Sequence, residues 1–152
     1  MSSDHIERVA KSLGAKVETS HNSLLISIDP ARVKEACSLV SAIPGLYHLT
    51  TITALDLGPA IELRYHFWEG RSFVTVKTEL RKEDLTIESA SGMVPAATLY
   101  EAEIQDLFGV TFKGNPYVGK RLLLPDEYPA DAPPPLRVEA DPEKIRKLMG
   151  LE

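Results

Sequence analysis

The chain has 152 residues, 43% apolar and 26% charged, enough to fill the core of one globular domain without disulfides. Its 22 acidic residues outnumber 17 basic ones, so a formal charge of −5 excludes a counterion-release drive toward nucleic acid or anionic lipid. The single cysteine, Cys37, excludes a disulfide framework and a thiolate cluster for a metal or iron–sulfur centre.

The first residues, through Arg8, are polar and lack the apolar core of a signal segment. No apolar run approaches the ~20 residues of a membrane span. The expectation is a chain that is cytosolic and soluble by itself. Asp4 is placed to cap a helix from His5 to about Leu13, with Ile6, Val9, Ala10 and Leu13 on one face and Gly14 as its stop. Lys16–Thr19 and Ser23–Ile28 read as strands flanking a His21-Asn22 turn. Asp29-Pro30 opens a second helix, an Asp cap followed by proline at the first helical position. Its apolar residues Val33, Ala36, Cys37, Val40 and Ile43 recur every three or four positions, and Pro44-Gly45 ends it. That spacing gives Cys37 the role of a small buried hydrophobe rather than a reactive thiol.

Three long strand candidates follow, Tyr47–Leu57, Ile61–Trp68 and Ser72–Leu80, joined through Gly58-Pro59 and Glu69-Gly70-Arg71. Val74 and Val76 alternate with Thr75 and Lys77, as on a strand with one buried and one wet face. Leu85–Ser89 adds a short edge strand. The fold class is α+β: an antiparallel or mixed sheet with helices on one face. Pro95 to Phe108 reads as a helix that Gly109 terminates. Beyond Lys113 the regular pattern fades. Pro125, Pro129 and the run Pro133-Pro134-Pro135 remove amide donors and favour extended chain. The division is residues 1–124 as an α+β domain and 125–152 as an extended tail, mobile in the free chain, with a short terminal helix capped by Asp141-Pro142.

The chain shows no phosphate-cradling glycine loop and no nucleophile elbow. His48 and His66 fall on neighbouring strands, where they read either as two metal ligands or as polar sheet-face residues. The acidic trio Glu101, Glu103 and Asp106 is the concentrated chemical signal. Glu101 and Glu103 point about 200° apart on a helix, whereas Glu103 and Asp106 share a side. Spacing alone leaves two readings: a solvated face, or a face neutralised by a basic partner.

The stretch Val94–Pro116 resembles the signature of the C-type subunit family of respiratory complex I (NADH:quinone oxidoreductase) and its hydrogenase relatives, roughly E-R-E-x-x-D-hydrophobic-F-G-hydrophobic-x-F-x-G-H-P. Glu101, Glu103, Asp106, Phe108, Gly109, Phe112, Gly114 and Pro116 fall on matching positions. Arg121-Leu-Leu resembles the following R-L-L segment, and Pro135-Leu136-Arg137 the family's P-L-R element. Ala102 stands for the family's Arg, Asn115 for its His or Lys, and Val138-Glu139 for Lys-Asp.

The resemblance implies a non-catalytic assembly subunit without a cofactor. Its partners would be the large catalytic subunit, with a quinone site or a nickel–iron centre, and a neighbouring iron–sulfur subunit. It implies no nucleic acid and no direct membrane insertion. The place would be the cytoplasmic side of the cell membrane, peripheral, through the complex. The expected docking residues are Glu101, Glu103 and Asp106 as acceptors, Phe108, Phe112 and Tyr117 as aromatic anchors, and Gly109, Arg121, Leu136 and Arg137 around them, with the tail wrapping the partner. Two other classes stay open on the residues alone: a stand-alone hydrolase using the acidic helix, and a small-ligand module on the open sheet face.

Overall fold

The structure is a computed structural model that describes residues 3–151 apart from Asn22, Tyr47 and Glu69, with side chains from His5 onward. The expected Asp4 cap and the sequence assignments at Asn22, Tyr47 and Glu69 lie outside these described groups. Helix α1 (Ser3–Ser12) buries Ile6 and Ala10 one turn apart, and Gly14 at φ +64° ends it. Strands β1 (Lys16–Ser20) and β2 (Ser23–Ser27) form an antiparallel hairpin. Asp29 does cap the next element: its Oδ1 accepts the Ala31 amide at 2.9 Å. That element opens as a single 3₁₀ turn, Pro30–Arg32, before helix α2 (Val33–Ser41), which buries Val33, Ala36, Cys37 and Val40. Burial, with the nearby Glu101 charge, pushes the Cys37 thiol well up, so it is an inert core side chain.

Strands β3 (His48–Asp56), β4 (Ala60–Trp68) and β5 (Phe73–Arg81) form the meander. The sheet order is β1-β2-β5-β4-β3; the β2–β5 pair is parallel and the others antiparallel, so the sheet is mixed. Alternation decides its faces. Ile61, Leu63, Tyr65 and Phe67 of β4, with Val74, Val76 and Leu80 of β5, join the buried core that holds residues of α1 and α2. Glu62, Arg64 and His66 fall on the opposite face by the same alternation. Glu62 is nearly buried there, paired with Arg64 at 2.6 Å and Lys77 at 3.6 Å.

After β5 the chain makes a small second unit: β6 (Thr86–Glu88), helix α3 (Ala97–Phe108) and β7 (Thr111–Lys113), with β6 and β7 parallel. The Tyr100 hydroxyl donates to the Thr50 carbonyl at 2.7 Å and ties α3 to β3.

The stretch from 125 to 140 contains turns and no strand or helix, as its prolines dictate. Residues 136–139 of it are nonetheless bonded to the rest of the chain, because two amides and two charged side chains find partners at home. Leu136 N donates to Leu107 O at 3.0 Å, and Arg137 Nε to Phe108 O at 2.7 Å. Val138 N donates to Asp56 Oδ2 at 2.9 Å. Lys82 Nζ lies 2.8 Å from both Asp56 and Glu139. Residues 134–139 thus form a strap across the C-terminal end of α3. Helix α4 (Pro142–Leu148) follows, capped by Asp141 as expected.

Candidate functional site

The site is α3 with the loop and strap laid against it. Helix α3 ends at Gly109 (φ +73°), whose amide donates to Gln105 O at 2.9 Å. A Cβ there would stand 2.8 Å from Arg137 Nη2 and 2.9 Å from Pro134 Cγ. Glycine is therefore needed both for the backbone angle and for the approach of the strap.

Glu101 is fully buried. Its Oε2 accepts the Ser89 hydroxyl at 2.5 Å and Asn115 Nδ2 at 2.9 Å, and its Oε1 accepts the Ala90 amide at 2.8 Å. Burial raises its pKa, and the bonds from Ser89, Asn115 and Ala90 offset that only in part. Asp106 is buried too, and its Oδ2 gathers three consecutive amides, Leu122, Leu123 and Leu124, at 2.8, 2.7 and 3.0 Å. Gln105 Nε2 donates to the carbonyls of Tyr117 at 3.1 Å and Lys120 at 2.9 Å. Asn115 bonds Thr98 O as well as Glu101, and accepts the Tyr117 amide. Together these groups clamp residues 115–124 along α3.

The expected docking residues therefore divide. Glu101 and Asp106 turn to donors of their own chain. Phe108 and Phe112 are buried in the core rather than displayed as anchors, because α3 and β7 need apolar faces to pack. Tyr117 is half-buried and held through its backbone. Arg121 donates to the carbonyls of Pro125 and Tyr128, and lies over the Tyr128 ring. Arg137 closes the end of α3, whereas Leu136 beside it is exposed. Glu103 alone of the trio faces solvent, and among the described residues it has no ion pair or hydrogen bond.

Sequence reasoning missed Ser89, Gln105, Lys82 and Asp56, and took Asn115 only as a departure from a pattern. Nothing local marks the first four; Asn115 ahead of Pro116 is the one visible cue, since Asn favours such turns.

The arrangement holds a loop and a strap in place. Two of the three carboxylates are committed to clamping, and neither lines the groove of about 580 Å³ on the outer sheet face. In that groove His66 lies between the Thr53 and Thr75 hydroxyls at 3.0 Å each. His48 pairs across the sheet with Trp68, and His66 with Thr51, so the two histidines are not cross-strand partners.

Fold and site together define a small α+β scaffold in which an acidic helix organises a loop and a strap and keeps one carboxylate outward. The family described as the respiratory-chain NADH dehydrogenase 30 Kd subunit matches residues 26–145, and the chain belongs to that family. It is similar to the C subunit of the NADH-quinone oxidoreductase of Moorella thermoacetica, at 35% identity over 88 residues, 55% of this chain and 59% of the relative. It is also similar to the C/D subunit of the NADH-quinone oxidoreductase of Psychrobacter cryohalolentis, at 43% identity over 63 residues, 40% of this chain and 10% of the relative. The chain thus spans about a tenth of the combined C/D relative and somewhat over half of the Moorella relative.

Among solved structures, a chain of an archaeal membrane-bound sulfane sulfur reductase, described as a respiratory membrane complex, shares the fold. Its TM-score is 0.79 at 24% identity, covering 95% of this chain and 88% of that one. A trypsin-resistant fragment of Nqo5 matches with TM-score 0.59 at 23% identity, covering 74% of this chain and 98% of that one. Among the described residues no helix is long and apolar enough to cross a membrane.

Proposed function

We propose that the chain is a non-catalytic assembly subunit in the peripheral arm of a membrane-associated, complex I-like oxidoreductase or energy-converting hydrogenase. It docks on the large, D-type catalytic subunit beside an iron–sulfur subunit, on the cytoplasmic side. The observation that carries this reading is the combined name of its relatives: a C/D subunit is one product with both parts. A domain joined to its neighbour in some chains supplies a partner for the same domain where it stands separate. The outward Glu103 supports it, since a lone carboxylate beside a preformed loop is suited to a charge-assisted bond from an Arg or Lys across an interface. In mechanism the chain holds rather than reacts: its buried carboxylates fix the loop, and the loop and helix present a rigid face. The reading carries no cofactor on this chain.

The experiment is affinity capture of the tagged chain from gently solubilised membranes of its native host, with the bound proteins identified by mass spectrometry. Recovery of a D-type large subunit and iron–sulfur subunits is expected. Recovery of the chain alone overturns the reading.

A further inference from the structure

We infer that Leu99, Leu107, Leu123 and Leu136 form an apolar ring around the Glu103 carboxylate, and that this patch seats an arginine of the D-type subunit set in an apolar surface. The inference rests on the docking reading above and names its surface and the chemistry of its partner.

The ring follows from helix geometry and four backbone bonds. Leu99 and Leu107 lie four residues before and after Glu103, one turn to either side on the same stripe. Asp106, three residues on, grips the amides around Leu123 and brings that loop beside the stripe. Leu136 arrives at the helix end because its amide donates to the Leu107 carbonyl at 3.0 Å. Leu99, Leu123 and Leu136 are 54%, 57% and 53% exposed, and Leu107 is half-buried. Large apolar side chains this open are individually ordinary; grouped around one acid on rigid supports, they make a surface with a centre.

Charge then selects the occupant. Covering the ring removes water from Glu103, and a purely apolar partner would strand a charge, which is strongly unfavourable. A guanidinium answers both carboxylate oxygens in one plane while its flat faces tolerate leucine, which ammonium groups do less well. The Asp106 and Gln105 clamps and the Arg137 strap already fix the ring, so little ordering entropy opposes docking.

The test uses the full chain in its native host. A photoreactive phenylalanine replaces Leu99 or Leu123, with Leu55 on β3, equally open, as control. Cross-links from positions 99 and 123 to the D-type subunit are expected, with none from position 55. In parallel, Glu103→Gln and Glu103→Arg should leave the isolated chain folded, with an unchanged urea midpoint. Both should lower recovered complex, by at least tenfold for the charge reversal. An arginine-to-glutamate change at the cross-linked partner site should restore Glu103→Arg. Capture of the large subunit with cross-links only from position 55, or with full recovery of both Glu103 variants, overturns the patch and leaves the docking reading standing. Cross-links from 99 and 123 to lipid alone also overturn the patch. Failure to capture the large subunit at all overturns both.

Discussion

Glu101 is buried and held by three donors, and among the described residues it pairs with no cation, so its worth lies in the groups it satisfies. Removing it leaves the Ala90 amide and one of the two Asn115 Nδ2 hydrogens without an acceptor, the other keeping Thr98 O, and leaves the Ser89 hydroxyl only Ser91 to turn to. At roughly 1–3 kcal/mol for each stranded group, Glu101→Ala should cost about 3 kcal/mol or more in chemical denaturation. Its titration adds a signature. The carboxyl titrates above its ordinary value near 4.5 because burial outweighs the hydrogen bonds. A raised acid holds its proton more tightly folded than unfolded, so ionisation costs stability as pH climbs past 4.5, and the cost levels off above the folded value. Wild type should lose ground to Glu101→Gln across that window in stepped-pH urea midpoints. Parallel curves would refute the raised pKa.

The trio also shows what a sequence reveals at this scale. Helical spacing separates Glu101 from Glu103 by about 200°, and the structure bears out that split. Which arc of α3 stays open was not legible. The arc holding Asp106 is covered by amides of residues 122–124, and the helix end by residues 134–137. No local pattern foretells those long-range partners.

At the scale of elements, caps and alternation carried the reading, and a three-residue strand paired across 25 residues of sequence escaped it. Asp29 and Asp141 cap as their positions require, and β3 to β5 appear close to the expected limits because nine-residue strands display several periods of alternation. Strand β7 has three residues, too few to show a period, and exists because β6 is there to pair with it. The α3–strap junction yields a differential prediction. Gly109 and Gly114 both have left-handed backbones, at φ +73° and +89°, so alanine at either carries a conformational penalty of about 1–2 kcal/mol. At Gly114 an added Cβ meets open space, whereas at Gly109 it meets Pro134 and Arg137. Gly109→Ala should therefore cost about 1 kcal/mol more than Gly114→Ala in thermal or urea unfolding. Equal costs would mean the strap yields freely.

For the whole molecule, strap and body are joined by charge. Burial would raise the Asp56 carboxyl, but Lys82 and the amides of Val138 and Gly58 outweigh it, and the net shift is downward. Lys82 likewise lowers Glu139. Lowered acids stabilise the folded form above their ordinary values, 3.8 and 4.5, and that contribution fades as pH falls through the folded values. The strap should loosen in acid before the sheet melts. Amide exchange read by NMR should show Val138 and Leu136 losing protection first, and Lys82→Met should produce the same loss at neutral pH. Simultaneous loss in β4 and β5 would show that strap and core unfold as one. The prolines leave this stretch without strand or helix, but irregular is not the same as loose: two amides, one guanidinium and one lysine suffice to fasten it.

The parallel pairing of β2 with β5 has a consequence for how the chain is made. Ser23–Ser27 pairs with Phe73–Lys77, so the first hairpin gains its central neighbour about fifty residues later in the sequence. A ribosome adding roughly 5–20 residues per second leaves that hairpin waiting some seconds, with the partner side of β2 unclaimed. Strands β3, β4 and β5 pair with near neighbours and need no such wait. The order of synthesis thus runs against the order of assembly: the amino-terminal hairpin is made first and can be seated in the sheet only after the meander has supplied its middle strand.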